Sequence, residues 1–244
     1  MKTARFVSGL WVILILAGCS LLANGNNGFL PPEGTRTSGA TPAEISTSTT
    51  PSPTVETGVY RGDLHIHTWC SDGHNTYEEM VQAALAARLD FIAITDHLWC
   101  EDTVARCKAE TRLVCFPGKE ISQEVHIVAV GISSPVNRGA VEDVVNHIHE
   151  QGGIAIAAHP YRVDKRYSPG MLFGSGFDAM ECNFHQDRLL AFDTGDMPCV
   201  WDSDAHEAED IGGYPATITA CDMPIKTIDD LKIAIKDGHC QPGN

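Results

Sequence analysis

Basic residues are scarce in this chain: 17 Lys and Arg stand against 32 Asp and Glu, a formal net charge of −15 with the histidines neutral. A protein that grips a polynucleotide needs a broad basic face, so long nucleic acids are excluded as expected substrates. Long apolar runs are lacking too. The N-terminal stretch FVSGLWVILILAG is mostly apolar over about thirteen residues, short of the ~20 that a membrane-spanning helix needs. The nine cysteines form no CxxC pair, which argues against a thiolate zinc site, and no internal repeat is visible.

What is present fits a globular chain. At 43% hydrophobic and 20% charged, the 244 residues hold enough apolar material for one sizeable domain with an appendage. Lys2 and Arg5 precede the short apolar run, the pattern of a signal peptide over residues 1–18. The run ends in LAGC, Leu16 to Cys19, which resembles the bacterial lipobox. That resemblance implies cleavage before Cys19, a lipid on its new N-terminus, and an exported protein anchored to the cell envelope, on the outer face of the membrane or in the periplasm. Ser20 points to the outer membrane in a two-membrane bacterium. A plain cleaved signal or an uncleaved anchor is the alternative.

Residues 19–58 are dominated by Gly, Asn, Ser, Thr, Pro and Ala without apolar period, the composition of a disordered tether. Its root-mean-square reach would be roughly 35 Å. Residues 59–244 must then form the folded domain. Removing residues 1–18 takes away two basic residues and no acid, moving the charge from −15 to −17.

Eight cysteines follow Cys19, an even set that suggests disulfides in an exported domain. Cys70 and Cys100 each lie three residues after a histidine in matching Trp-Cys contexts, so a bridge between them is plausible if those histidines end neighbouring strands. Cys107–Cys115 and Cys221–Cys240 are further candidates.

Apolar runs read as strands alternating with helices. DLHIH (63–67) is strand-like, NTYEEMVQAALAARL (75–89) has helical spacing, and DFIAITDH (90–97) is a continuous run typical of a buried parallel strand. LVCFPGKE and VHIVAVG follow as strands, then a helix over 137–153 that Gly152 and Gly153 should stop. IAIAAHP, FDAMECN, PCVWDSDAH and PATITA continue as strands, and TIDDLKIAIKDG closes as a helix capped by Thr227 with Gly238 past its end. This alternation points to a parallel α/β barrel or an open sheet. Polar residues gather where each strand ends: His65 and His67, Asp96 and His97, Glu120, His159, Glu181, then Asp204 and His206. Barrel enzymes collect catalytic groups at that face, which favours a closed ring. HxH sets His65 and His67 on one face of a strand, and DAH repeats the geometry with Asp204 and His206.

In order, DLHIHTWCSDGH, FIAITDH, PGKEIS with VHIVAVG, AHP and SDAH look like the successive motifs of the PHP (polymerase and histidinol phosphatase) superfamily, over nearly all of residues 61–220. The resemblance implies a distorted (β/α)7 TIM-like barrel whose C-terminal strand ends hold up to three divalent metals and hydrolyse phosphoesters. His65, His67 and Asp204 would hold one ion, and Glu120 would bridge it to a second on His126 and His159. Asp72, His97 and His206 would hold the third. Six neutral imidazoles and three carboxylates against three divalent ions leave a surplus of about +3, which attracts phosphate. Mixed imidazole and carboxylate ligands suit Zn, Mn or Fe better than Ca or Mg.

The implied chemistry is in-line attack on phosphorus by a metal-bridging hydroxide, with Asp204 orienting it and His206 or a water assisting departure. Arg162 in AHPYR is a candidate phosphate clamp or a surface residue. Asn183 and His185 are candidate lining residues, Glu181 a supporting group, and His74 an alternative ligand to Asp72. Lys119 should point away from Glu120, and His147 and His149, two apart on a helix, read as solvated. The short Glu120–His126 spacing suggests a hairpin-like connection, and the 33 residues from His126 to His159 leave no room for a covering domain, so the mouth should be open. The expected substrates are small phosphate monoesters, metabolites or nucleotides. The alternatives are a phosphodiesterase or exonuclease on short nucleotides, and a metal-binding surface lipoprotein without turnover.

Overall fold

The structure, a computed structural model, describes residues 58–162, 167–182 and 195–243. The signal segment, Cys19, the tether up to residue 57, and Asn183 and His185 lie outside the described residues. No described helix is long and apolar enough to cross a membrane.

The chain runs β1 (Tyr60–Ile66), α1 (Tyr77–Ala86), β2 (Phe91–Ile94), α2 (Glu101–Ala109), β3 (Val114–Ser122), β4 (His126–Val130), α3 (Val141–Glu150) and β5 (Ile154–Ala157). It continues with α4 (Pro169–Gly174), β6 (Ala179–Glu181), β7 (Cys199–Val200), β8 (Thr219–Cys221), α5 (Ile228–Lys236) and β9 (Cys240–Pro242). The nine strands form one sheet in the order β7-β6-β5-β4-β3-β2-β1-β8-β9.

The sheet curls into a nearly closed ring. Beyond β7 the chain joins β8 through the Thr219 hydroxyl, which accepts from the Trp201 N–H at 2.8 Å and donates to the Trp201 carbonyl at 2.7 Å. Further on, Ala205 pairs with Ile66 in a parallel bridge, bringing this segment to the C-terminal end of β1. Leu64, Phe91, Ala93, Phe116, Val128, Val130, Ile154, Ile156, Ala179, Val200 and Cys221, at least one from each of β1 to β8, pack in one buried cluster with Leu231, Ala234 and Ile235 of α5. That cluster fills the ring, and α5 covers one end of it. Helices α1 and α2 cover the outside near β1 and β2, and α3 and α4 cover it near β4 to β6.

Local sequence explains several elements. Thr76 and Glu79 form a capping box at the start of α1, and Thr227 and Asp230 form one at the start of α5. Gly152 and Gly238 take φ of +76° and +75° after α3 and α5, the left-handed stops that glycine supplies cheaply. A Cβ on Gly62 would stand 2.1 Å from the Phe91 ring, so only glycine lets that ring into the barrel.

The described residues do not reproduce the (β/α)7 count of the expected distorted barrel. Nine strands and five α-helices are described, and β4 runs antiparallel to both β3 and β5, as β8 does to β1 and β9. Three residues join β3 to β4, far too few for a parallel crossover, so the hairpin-like connection holds. His126 consequently opens β4 instead of ending a strand, and an antiparallel strand brings its first residue to the face where parallel strands finish. Helices α2 and α4 and strand β9 were not anticipated. In α2 only Val104 and Cys107 are buried, too little for a periodic signal, and the Cys107–Cys115 disulfide fastens it to β3.

All eight cysteines after Cys19 are paired: Cys70–Cys100, Cys107–Cys115 and Cys221–Cys240 as anticipated, and Cys182–Cys199.

Candidate metal centre

The β1–β2 register slips between Asp63 and Ile66, which puts an extra residue on β1. Leu64 packs inside the ring while Ile66 packs outside under α1, and both imidazoles of HxH turn to the mouth. His65 and His67 bring their Nε2 atoms to 3.0 Å from each other. Both face Glu120 Oε2, at 3.1 and 3.2 Å, and Asp204 Oδ1, at 3.3 Å each. Asp204 is delivered by the segment that joins β1: the His67 N–H donates to the Ala205 carbonyl at 2.8 Å, and buried Asp63 accepts from the Ser203 hydroxyl at 2.5 Å. Burial pushes the Asp63 carboxyl up to about 7, against the lowering hydrogen bonds from Ser203.

The second group shares Glu120. Its other oxygen, Oε1, meets His126 Nδ1 in a very short contact and His159 Nε2 at 3.1 Å. One carboxylate thus offers one oxygen to each group, the geometry of a bridge. His126 pairs with Ser122 in the β3–β4 ladder, and His159 follows the end of β5. His159 and Asp204 hold φ of +30° and +51°, a region non-glycine residues enter at a cost and one that is common at functional sites.

A third group lies toward solvent. Asp72 Oδ2 is 3.3 Å from His97 Nε2 and 3.4 Å from His206 Nε2, and Asp72 Oδ1 is 3.4 Å from His67 Nδ1. His67 therefore adjoins the first and third groups through its two nitrogens. Side chains of Asp72, His97 and His206 are 50%, 26% and 35% exposed, so this group forms the rim, consistent with an open mouth. The Cys70–Cys100 disulfide joins the loops that carry Asp72 and His97, and Ser122 Oγ sits 2.7 Å from His97 Nδ1. Asp96 accepts from the Thr68 N–H, the Thr68 hydroxyl and the Ser71 hydroxyl, so it braces the Asp72 loop.

The chemistry of these donors tests whether a cation fits. His65 gives its Nδ1–H to Glu181 Oε1 at 2.7 Å, which leaves Nε2 of the neutral ring as a lone pair aimed at two carboxylate oxygens. Acceptors converging on acceptors repel unless positive charge sits among them. Asp204 Oδ1 is buried without a well-formed hydrogen bond. With no metal, protons must supply that charge. Burial disfavours a charged ring at His65, yet Asp204, Glu120 and Glu181 outweigh it and hold its pKa well above the ordinary histidine value. His67 is raised against the same penalty by the neighbouring carboxylates of Asp204 and Glu120. Burial alone would raise Glu120 and Asp204, but the neighbouring imidazoles hold both far below the usual carboxylate range. Nitrogen and carboxylate ligands in closed clusters fit divalent transition metals.

The nine anticipated residues thus fall into three adjoining groups, with donor atoms in each within 4.8 Å of one another. A fourth, wholly buried set of His65, Glu181 and Asp202 lies behind them. Asp202 escaped the sequence reading, although its place two residues before Asp204 was a signal. Arg162 is exposed, its N–H donating to the His159 carbonyl at 3.1 Å. Lys119 gives its ammonium to the Val136 carbonyl at 3.1 Å, as a structural lysine should. His74 is exposed, 3.0 Å from Glu207 and outside the three groups. His147 and His149 are exposed on α3, and His149 lies 2.8 Å from Asp178.

The fold is similar to that of a Bacteroides vulgatus two-domain protein containing a predicted PHP-like metal-dependent phosphoesterase, with a TM-score of 0.63 at 17% identity over 77% of this chain and 66% of that one. PsfC from Pseudomonas syringae aligns with a TM-score of 0.53 at 15% identity, covering 73% of this chain and 89% of PsfC. In sequence, an uncharacterized protein of Methanocaldococcus jannaschii is 26% identical over 147 residues, 53% of this chain and 86% of that protein. The 5'-3' exoribonuclease Rnm of Salmonella typhimurium is 32% identical over 126 residues, 46% of this chain. The chain spans only 41% of that exoribonuclease's length. Residues 63–158, which contain β2 to β5, the last four residues of β1 and six of the nine candidate ligands, match the PHP domain family.

Proposed function

We propose that this chain is a metal-dependent phosphoesterase that hydrolyses small phosphate monoesters, phosphorylated metabolites or nucleotides. One observation carries the reading: Glu120 places one oxygen among His65, His67 and Asp204 and the other between His126 and His159, with Asp72, His97 and His206 adjoining at the rim. That donor set would hold three divalent ions, of Zn, Mn or Fe. The chemistry such ions would supply there is polarisation of the phosphoryl oxygens, a nucleophile at neutral pH and stabilisation of the leaving oxygen. Asp204, 21% exposed at its side chain, orients the attacking water, and His206 at the rim assists departure of the alcohol. Arg162 pairs with the substrate phosphate from the exposed turn after His159.

The net charge of −15 favours small substrates over long nucleic acids. Four disulfides fit an oxidising compartment and so support export, with a lipid on Cys19 anchoring the chain to the cell envelope. The likeness to the Salmonella exoribonuclease favours a second reading, cleavage of phosphodiesters in short nucleotides.

A substrate panel separates the readings. The purified protein is loaded with Mn²⁺ or Zn²⁺, its metal counted, and phosphate monoesters and short diesters assayed side by side. Orthophosphate from monoesters is the expected outcome. Diester cleavage without orthophosphate would move the assignment to the second reading. No turnover at full metal loading would leave a binding lipoprotein.

A further inference from the structure

Glu181 belongs to none of the three ligand groups, yet it touches two of them. It ends β6, which pairs with β7 in register Met180 to Cys199 and Glu181 to Val200. The next residue, Cys182, is bridged to Cys199, so the strand is fastened on both sides of the carboxylate. The side chain is buried, and its two oxygens have separate tasks. Oε1 accepts the Nδ1–H of His65 at 2.7 Å. Oε2 accepts the backbone N–H of His159 in a very short contact.

We propose that Glu181 is a positioning residue that sets the proton on His65 and the backbone of His159 together, and so couples the two inner metal groups. The inference rests on the metal-binding reading given above. A neutral imidazole carries one proton. Holding it on Nδ1 frees Nε2, the atom that faces Glu120 and Asp204. At His159 the backbone has φ of +30°, a conformation that persists only when its surroundings impose it. The Glu181 oxygen on its N–H is such a constraint, and the resulting turn places Nε2 3.1 Å from Glu120 Oε1. The rings of His65 and His159 lie nearly parallel, 20° apart with centroids 5.8 Å from each other. One buried carboxylate thereby orients a ligand on each side of the bridging Glu120.

The two tasks both need an acceptor, and this makes a sharp test. Glu181→Gln keeps the shape but offers one oxygen and one NH₂. The NH₂ either faces His65, moving its proton to Nε2 where the metal should bind, or opposes the His159 N–H. Outer partners of metal ligands typically change affinity by about 10–100-fold. Zn²⁺ binding to the full chain, measured by chelator competition, should therefore weaken about 10–100-fold in Glu181→Gln at the inner groups. The rim group of Asp72, His97 and His206 should be spared. Long-range ¹H–¹⁵N spectra of the metal-free protein, at a pH where the ring is neutral, should show the His65 proton on Nδ1 in the wild type and displaced in the variant. Glu181→Asp, too short to span both partners, should fall in the same direction.

Wild-type Zn²⁺ affinity in Glu181→Gln with the proton still on Nδ1 would overturn the proposal, because a merely structural role moves the melting temperature and neither of these readouts. Should the Gln variant fail to fold, the wild-type spectrum decides alone, and a proton on Nε2 of His65 refutes the inference. If the wild type takes up no Zn²⁺, the metal reading itself fails, while the proton position still judges whether Glu181 orients His65.

Discussion

At one end of the strand ring, Leu231, Ala234 and Ile235 of α5 join the buried apolar cluster to which β1 to β8 all contribute. At the other end, β1, β3 and β4 and the segments that follow β1, β2, β5 and β7 present six histidines and three carboxylates whose donor atoms face one another. The first end is satisfied by burial alone, since apolar area removed from water is stabilising whatever its partner. The second is satisfied only when positive charge is added, because its acceptors converge with no fixed cation among the atoms that form the three groups. The buried plug and the candidate ligands are thus placed at opposite ends of one scaffold, the separation that barrel enzymes use for stability and chemistry. The mouth can carry left-handed backbone at His159 and Asp204 because the plugged end and four disulfides hold the frame.

Substitutions at the mouth should break activity and spare the fold. Glu120→Gln should lose metal at both inner groups together, because its oxygens serve both, and turnover should fall by more than the ~100-fold typical of an outer partner. His97→Ala should cost only the rim ion, since His97 pairs with Asp72 in that group. Metal counting on the two variants checks this, and equal losses would contradict the shared bridge. At the plugged end the pattern should invert. Leu231→Ala, at a fully buried position, should lower stability by about 2–5 kcal/mol in denaturant titration with metal content unchanged. Loss of metal in a folded Leu231→Ala protein would show that the ends are coupled.

The mouth was more legible in sequence than the frame around it. HxH and DAH announce themselves because metal chemistry restricts residue types and strand alternation fixes their spacing. The plugged end is written in ordinary aliphatic residues, which suit an open sheet as well as a ring, and closure of the ring depends on the Thr219 hydroxyl and one bridge at Ala205, contacts between distant segments. Helix α2 was missed because only Val104 and Cys107 mark its buried face, and β9 because three residues with one half-buried cysteine carry no period. The direction of β4 was readable from the three-residue connection, yet its consequence for His126 required the ladder itself. Glu181 stood in view at a strand end, but nothing in one dimension says that it reaches both His65 and His159.

The smallest of these effects, and the most direct probe of the missing charge, is the pH dependence of stability with and without metal. In the metal-free protein the folded pKa values of His65 and His67 are raised above the ~6.5 of an unfolded histidine, by carboxylates that outweigh burial. A raised folded pKa means the folded state binds more protons between the two values, so stability is complete below ~6.5 and is lost as pH rises through the folded pKa. Asp63, raised to about 7 from an unfolded value near 4, adds the same sign between those limits. Glu120 and Asp204, which are lowered, act only in acid and leave this window untouched. After chelation, the melting temperature should therefore decline above pH 6.5, as the unfolding free energy falls by up to about 1.4 kcal/mol per pH unit for each imidazole. Zn²⁺ loading should reverse the trend, because a metal competes with those same protons and binds better as they leave. Parallel curves for the two forms would mean that the plugged end alone sets stability and that the mouth holds no cation.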